Sequence, residues 1–546
     1  MPDSVMLEHI QLGEVVPVVL STPYHQDPLA TLASLRDGGE HLLLESAEID
    51  SRENLKSILL VDPSVRLVCN QQTVRVTALT DNGRCIVSFL AEHLAPLVAE
   101  GSVALAWITS AELELEFRLP AAHLNERERL QAVSNVAPLR ILQQQLKSLR
   151  EHPFAIFLGG VFAYDFYATF ESLPAPSETP ENTCPDYQYY LAETLLVIDH
   201  QQRSAELVGS LAGGELSENG VVSKPQQRYQ GLCQRMGEIL SRVQIVSAPE
   251  TKGHSTTPTQ VTATPNNSQF VQHVRELKEA IVNGDIFQVV PSRRFRLACQ
   301  NGLASYAELK KNNPSPYMFY LQTQNFELFG ASPESALKFT AASRQVELYP
   351  IAGTRKRARN AQGELLADQD SRIELELRMD SKEMAEHMML VDLARNDLAR
   401  IAETGSRYVA DLLKVDRYSH VMHLVSRVVA TLRTEFDALD AYRACMNMGT
   451  LVGAPKLSAA ALIRGVERQR RGSYGGAVGY LKGNGDMDTC IVIRSAFVAN
   501  GVAIVQAGAG VVFDSNPNLE LAETEQKAAA VIAAIQTANQ QQEAAL

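Results

Sequence analysis

Two short acidic stretches set the tightest limit on how this 546-residue chain can fold. Asp380-Ser-Lys-Glu383-Met-Ala-Glu386-His387 and Asp514-Ser-Asn-Pro-Asn-Leu-Glu520-Leu-Ala-Glu523 each carry two glutamates three residues apart. On a helix that spacing puts both carboxylates on one face. His387 extends the first face and Lys527 the second. Met384, Met388, Val391, Ala394 and Leu398 form an apolar stripe at helical spacing beside the first pair. The pattern predicts two helices, the first with its acidic face bordering a core. Four carboxylates brought together there would repel unless protons or a cation relieved them. Mg²⁺, a hard cation that takes one or two carboxylates directly and keeps several waters, is the simplest relief. Spacing alone also admits two solvated acidic faces that never meet.

Composition narrows the class. The chain is 45% hydrophobic and 21% charged, ordinary for a globular protein of two or three domains. A net charge of −13 leaves no basic surplus to neutralise phosphates, which argues against nucleic-acid binding. The seven cysteines, Cys69, Cys85, Cys184, Cys233, Cys299, Cys445 and Cys490, are scattered without a C-x-x-C pair. That pattern suits free thiols in a reducing compartment. No signal peptide is indicated and no apolar run approaches a membrane span, so a cytoplasmic location with no membrane partner is expected.

The Thr-, Ser-, Pro- and Asn-rich stretch 247–268 reads as a linker between an amino-terminal domain, 1–246, and a carboxy-terminal one, 269–546. Residues 173–185, with four prolines, read as a loop, and the Gln- and Ala-rich tail after Gln536 is expected to fray. Alternating runs at Val74–Leu79 and Cys85–Leu90 suggest strands. A helix is expected from Leu139 to Arg150, and another from Phe270 to Val282, stopping at Asn283-Gly284-Asp285. Further strands are expected at 286–290, 327–330, 346–351, 477–481, 489–497 and 503–507. No regular βαβ alternation is visible, so the expected class is α+β with largely antiparallel sheets.

Several segments offer chemistry. Gln506-Ala-Gly508-Ala509-Gly510 follows a strand-like run and would let bare backbone N–H groups approach an anion, although a tight bend explains it too. Pro350-Ile-Ala-Gly353-Thr354-Arg-Lys-Arg ends a strand with a glycine, a hydroxyl and three cations. Gly449-Thr450-Leu-Val452-Gly453-Ala-Pro455-Lys456 lacks the order of a phosphate loop, which excludes ATP binding on that ground. Arg494 is a cation in an apolar run and needs an anionic partner. Together these fit a small di-acid handled beside Mg²⁺.

In their order the motifs resemble the chorismate-utilising enzymes. The resemblance is carried by Gly284-Asp-Ile-Phe-Gln288-Val-Val-Pro-Ser-Arg, Phe329-Gly-Ala-Ser-Pro-Glu334-Ser, Pro350-Ile-Ala-Gly-Thr-Arg, Lys382-Glu-Met-Ala-Glu-His and Val391-Asp-Leu-Ala-Arg-Asn-Asp397. Gly449 to Lys456, Tyr474-Gly-Gly-Ala-Val-Gly-Tyr480, Arg494 and Gln506 to Gly510 continue it, over about residues 267 to 536. The amino-terminal half matches more loosely, through His41-Leu-Leu-Leu-Glu45-Ser46 and Gly159-Gly-Val-Phe-Ala-Tyr-Asp.

The resemblance implies the fold of that family, a β-sandwich of antiparallel sheets with flanking helices. It implies a Mg²⁺-dependent reaction in which ammonia adds to chorismate, the ring hydroxyl leaves, and pyruvate is eliminated to give anthranilate. By resemblance Glu386 and Glu523 are direct metal ligands, with Glu383 and Glu520 acting through water. Tyr474, Arg494, Lys527 and the backbone of Gly508, Ala509 and Gly510 hold the substrate carboxylates, and Gly353 and Thr354 add a contact. Glu334 matches the general acid for the departing hydroxyl, and His387 a residue of the elimination half. Gln288 stands where water-adding relatives carry a lysine base, and Ala352 where aminodeoxychorismate synthases usually carry lysine. Both differences favour the anthranilate-forming activity; aminodeoxychorismate formation, or a tryptophan sensor without catalysis, are the alternatives. Val452 replaces a usual hydroxyl residue.

No cysteine has the Gly-flanked setting of a glutaminase nucleophile. A separate glutamine amidotransferase subunit is therefore implied, with a heterotetramer expected. Glu45, Ser46 and Lys56, together with Pro316, Tyr317 and Met318, match the family's pocket for L-tryptophan as feedback inhibitor, placed in the amino-terminal domain and its partner segment.

Overall fold

The computed structural model describes residues 7–543 apart from 8, 37, 48–53, 121–123, 219–220, 244–259, 361 and 418–420. Among the described residues, 23 strands join in one continuous hydrogen-bonded sheet. All its named pairings are antiparallel except the short contact of Glu14–Thr22 with Lys147–Ser148. The sheet folds over on itself, and strand alternation explains how. In strand Tyr317–Gln322, Phe319 and Leu321 enter a core with Leu42, Phe157, Tyr190 and Val478, between sheet layers. Met318 and Tyr320 point the other way, into a core with Tyr306, Leu309, Ala528, Val531 and Ile535. Those five come from helices Gly302–Asn312 and Pro517–Glu543. A strand buried on both faces loses its apolar–polar alternation. The result is the expected sandwich with flanking helices.

The two halves of the chain share this sheet. His41–Ala47 pairs with Tyr317–Gln322, and Phe157–Phe162 pairs with Ala477–Lys482. Part of the segment read as linker, 247–259, lies outside the described residues. The remainder holds a short strand, Thr262–Thr264, paired with Ser292–Ala298. No described helix is long and apolar enough to cross a membrane.

Several local expectations need correction. Cys85–Leu90 is not a strand but part of helix Asp81–Ala99. The Thr80 hydroxyl caps it by accepting from Gly83 N at 3.1 Å. Ile86, Leu90 and Leu94 repeat every four residues into the core, and that helical period outweighs the β-branched composition. The run 489–497 is two strands, Met487–Ile491 and Ser495–Ala499. Arg494 sits between them at φ +49°, so it leaves the strand rather than lying in it. The run 346–351 likewise splits into Gln345–Leu348 and Ile351–Lys356. The 139–150 helix is shorter, Ala137–Gln144. The tail does not fray at Gln536; the helix continues to Glu543, and Asn539 Nδ2 donates to Ala298 O at 2.8 Å.

One buried ion pair ties the site-bearing segments together. Arg471 Nε and Nη2 donate to Glu467 at 2.9 and 2.6 Å, Nη1 to Leu451 O at 2.7 Å, and Nη2 to Val290 O at 2.6 Å. Glu467 Oε1 also accepts from Ser292 N and Oγ at 2.9 and 2.6 Å. Ser292 Oγ in turn accepts from Gln506 Nε2 at 2.7 Å. Arg471→Met leaves the Glu467 charge buried and unpaired, and should cost about 3–5 kcal/mol in urea unfolding. Adding Glu467→Met should restore most of that loss; a double variant as unstable as the single one would show that packing, not the stranded charge, sets the cost.

Candidate active site

The site is a cleft lined from two sides. On one side, strand Val502–Gly508 ends in the glycine-rich turn. A Cβ on Gly508 would lie 2.8 Å from Pro291 O and 2.9 Å from the Tyr474 hydroxyl, so only glycine fits under that tyrosine. A Cβ on Gly510 would lie 3.0 Å from Gln288 Nε2. Lys527, from helix Pro517–Glu543, donates to Gly508 O at 3.0 Å and pairs with Glu523 at 2.5 Å.

The other side is strand Ile351–Lys356, with helix Ser381–Ala399 packed behind it. Gly353 has φ +77°, and a Cβ there would come within 3.2 Å of Glu383 Oε2. Thr354 Oγ1 lies 2.9 Å from His423 Nδ1. Burial, then the charges of Arg494 and Lys527, lower the pKa of His423 to about 3, so this imidazole is neutral. His423 escaped the sequence reading because its neighbours Val421–Thr431 form a strand with no motif of their own. His387 lies elsewhere. It is fully buried, with Nε2 2.7 Å from Ser426 Oγ, and the charges of Arg494 and Lys527 that act on His423 do not act on it.

Glu334 is buried and accepts from Thr450 Oγ1 at 3.0 Å. Burial pushes its carboxyl up to about 8, against the smaller opposing pulls of Thr450 and Lys527. It is therefore held protonated near neutrality, as a proton donor must be. Arg494 makes no ion pair among the described residues, although Glu523 and Tyr474 lie in its field. An unpaired guanidinium near a lysine is a site for a carboxylate, whereas in the glycine-rich turn Ala509 N already donates to Pro291 O at 3.1 Å and Gly508 N to Tyr474. Lys456 is accounted for separately: it pairs with Asp397 and donates to Cys445 O, both at 2.6 Å. The Val452 backbone, not a side-chain hydroxyl, makes the loop's link there, its O accepting from Val290 N at 3.0 Å.

The acidic helix faces both border this cleft, but the four carboxylates are not gathered. Glu383 pairs with Arg355 at 2.7 Å, and Glu523 with Lys527. Among the described residues, no three His, Cys, Asp or Glu side chains converge as a metal site. The donors suit a hard cation by chemistry, with Arg355 and Lys527 holding two of them in this arrangement. Of the apolar stripe, Val391, Ala394 and Leu398 are buried, while Met388 is exposed.

The remaining predicted residues meet across strands. Ser46 stands opposite Tyr317 and Lys56, and Glu45 opposite Met318. Glu45 is buried, accepting from Tyr306 OH at 2.6 Å and Lys310 Nζ at 2.5 Å. Pro316 is buried next to Tyr317. Tyr306 and Lys310 were missed because they lie more than 260 residues away in the chain. Their i,i+4 spacing on one helix face is the only trace they leave in the sequence.

Comparison with known proteins identifies the family. A model of the chorismate binding enzyme family matches residues 99–533. Anthranilate synthase component 1 of Vibrio parahaemolyticus is 53% identical over 98% of this chain and 95% of its own length. That of Escherichia coli K12 is 51% identical over 95% and 96%. The crystal structure of anthranilate synthase component I from Streptococcus pneumoniae superposes with a TM-score of 0.63 at 28% identity, over 88% of this chain and 92% of that one. The menaquinone-specific isochorismate synthase of Escherichia coli, at 18% identity and a TM-score of 0.65, shares the fold. The chain belongs to the chorismate-binding enzymes, in the group formed by anthranilate synthase component 1.

Proposed function

We propose that the chain is the chorismate-converting subunit of an anthranilate synthase, acting in the cytoplasm in tryptophan biosynthesis, with ammonia as nucleophile and L-tryptophan as feedback inhibitor. The observation that carries the reading is Glu334, a carboxyl kept protonated by burial and held by Thr450. Arg494 and Lys527 grip the carboxylates of chorismate, with the Gly510 amide beside them. Tyr474 closes the site from above. Glu334 gives its proton to the departing hydroxyl, which leaves as water while ammonia forms the new C–N bond. His423, rather than His387, is the imidazole that the cleft presents for the elimination half. A dianionic substrate offsets the Arg494 and Lys527 charges and so raises its basicity. Mg²⁺, when bound, would be held by Glu386 and Glu523, backed by Glu383 and Glu520, and would clamp the ring carboxylate. The relatives' designation as component 1 supports a second component, here a glutamine amidotransferase that supplies the ammonia, in a heterotetramer.

Because Glu334 must be protonated, kcat should fall as pH rises through about 8. Thr450→Ala removes a donor that favours the carboxylate, so that limb should move to higher pH; a limb moving down would overturn the assignment. The assay holds free ammonia constant and scores anthranilate and pyruvate together. An amino-chorismate without pyruvate would favour aminodeoxychorismate synthase instead.

Glu386→Gln should abolish Mg²⁺-dependent turnover while chorismate protection against thermal unfolding persists without metal. Near-normal turnover would remove Glu386 from the metal. Ser46→Phe or Met318→Thr should relieve inhibition by tryptophan with turnover retained. Equal loss of both would indicate unfolding.

A further inference from the structure

A small cavity of about 20 Å³ lies against Glu334. One wall is the face of helix Ser381–Ala399 that carries Leu390, Leu393, Ala394 and Asp397, a run at helical spacing. Residues 348–350, where strand Gln345–Leu348 ends, and the loop 448–450 close the rest. Gly449 seats that loop on the helix, since a Cβ there would collide with Leu393. Arg494, Lys527 and Tyr474 do not line the cavity, so it is a space apart from the one that holds the substrate.

Two carboxyls, Glu334 and Asp397, interrupt a largely apolar lining. The Thr450 hydroxyl is committed to Glu334, and that of Tyr349 donates to Glu347 at 2.5 Å. Asp397 Oδ2 accepts from Lys456 Nζ at 2.6 Å, while Oδ1 makes no hydrogen bond among the described residues. Burial pushes the Asp397 carboxyl up, and Lys456 and Arg400 pull it back. A water needs roughly 10–15 Å³ and at least a pair of polar partners. The cavity has room for one and offers both carboxyls.

The proposed amination creates a need for it. Glu334 gives up its proton, the C–O bond breaks with its electron pair on the hydroxyl, and water forms. The lone pair of ammonia makes the C–N bond, and the new ammonium sheds one proton to solvent. Glu334 is left as a carboxylate and must regain a proton before the next turnover, while a bound dianion keeps water out of the cleft. We infer that Glu334 regains its proton through this cavity, from one water shared with Asp397. The inference rests on the amination reading. Asp397 touches neither substrate nor reacting atoms; it is a positioning residue that orients the water, with Lys456 fixing it in turn.

The test uses Ala394→Leu, which fills the cavity and removes no hydrogen bond, and Asp397→Asn, each in the full chain with chorismate, ammonia and Mg²⁺. Ala394→Val serves if the leucine unfolds the chain. Glu334 starts protonated, so the first turnover per site, read by rapid quench, should stay within about twofold of the unsubstituted chain. Later turnovers should slow at least about tenfold, with a larger solvent deuterium isotope effect. A first turnover slowed as much as the later ones marks a merely structural loss and would overturn the inference. So would an unchanged steady rate with the cavity filled, the result expected if the substrate's own ammonium returns the proton directly. If the unsubstituted chain makes no anthranilate from ammonia, the functional reading fails instead. A crystal structure then decides the route: a water between Glu334 and Asp397 supports it, and a dry cavity overturns it.

Discussion

The Arg471–Glu467 pair is the interaction on which the cleft depends. Three segments that are distant in sequence meet on it: Val290–Ser292, Leu451 and, through Ser292, Gln506. Its guanidinium also stacks over Tyr164 and Tyr474, at 4.7 and 5.5 Å from the ring centroids. Every donor on Arg471 that meets a partner is fixing backbone or a carboxylate, and Glu467 is turned from a buried liability into an acceptor for Ser292. Burial alone pushes the Glu467 carboxyl up, but Arg471 beside it holds it below the usual range. The pair stays ionised, so Gly508, Tyr474, Thr450 and Gln288 keep their relative places. A hydrophobic pair of the same volume could match the stability. It could not satisfy the two carbonyls and the serine at once.

The cleft's electrostatics run against those of the whole molecule. The chain carries a net −13, yet the groups facing the substrate side are Arg494 and Lys527, with His423 neutral and Glu334 protonated. Burial produces both of the last two effects, because it disfavours whichever form is charged. A dianion entering this space meets two cations, and of the carboxylates at its border Glu523 is held by Lys527 and Glu383 by Arg355.

What could be read from the sequence was local. Helix Asn267–Val282 was legible because Phe270, Val274 and Leu277 keep period up to the stop at Asn283-Gly284, and the Asn266–Gln269 capping box starts it three residues earlier than expected. The glutamate pairs were legible as helical faces for the same reason. Cys85–Leu90 was misread because β-branched and aromatic residues look alike in a strand and in a buried helix. Arg494 was misplaced because nothing in the composition marks a single residue in the left-handed region between two strands. His423 and the Tyr306–Lys310 clasp on Glu45 depend on pairing across long chain separations, which a single sequence does not encode locally. Whether the four glutamates meet was likewise not a property of either helix alone.

The register of the sheet also relates the proposed inhibitor pocket to the catalytic acid. Tyr317 pairs with Ser46 on one side and with Ser332 on the other. Ser332 Oγ accepts from Glu334 N at 3.3 Å and donates to Glu334 O at 3.2 Å. Only one strand therefore separates Glu45 and Ser46 from the backbone that carries Glu334. Strands buried on both faces cannot shift by a fraction of a residue without breaking their packing, so they respond as units. Strand Tyr317–Gln322 pairs with Ser46 through Tyr317 on one side and with Ser332 through the same residue on the other, so a displacement of that strand would be felt at Ser332. Among the described residues Glu334 has only Thr450 as side-chain donor, and its proton affinity comes from burial. A small change in the position of its backbone is thus enough to alter both its solvation and its reach to the substrate hydroxyl.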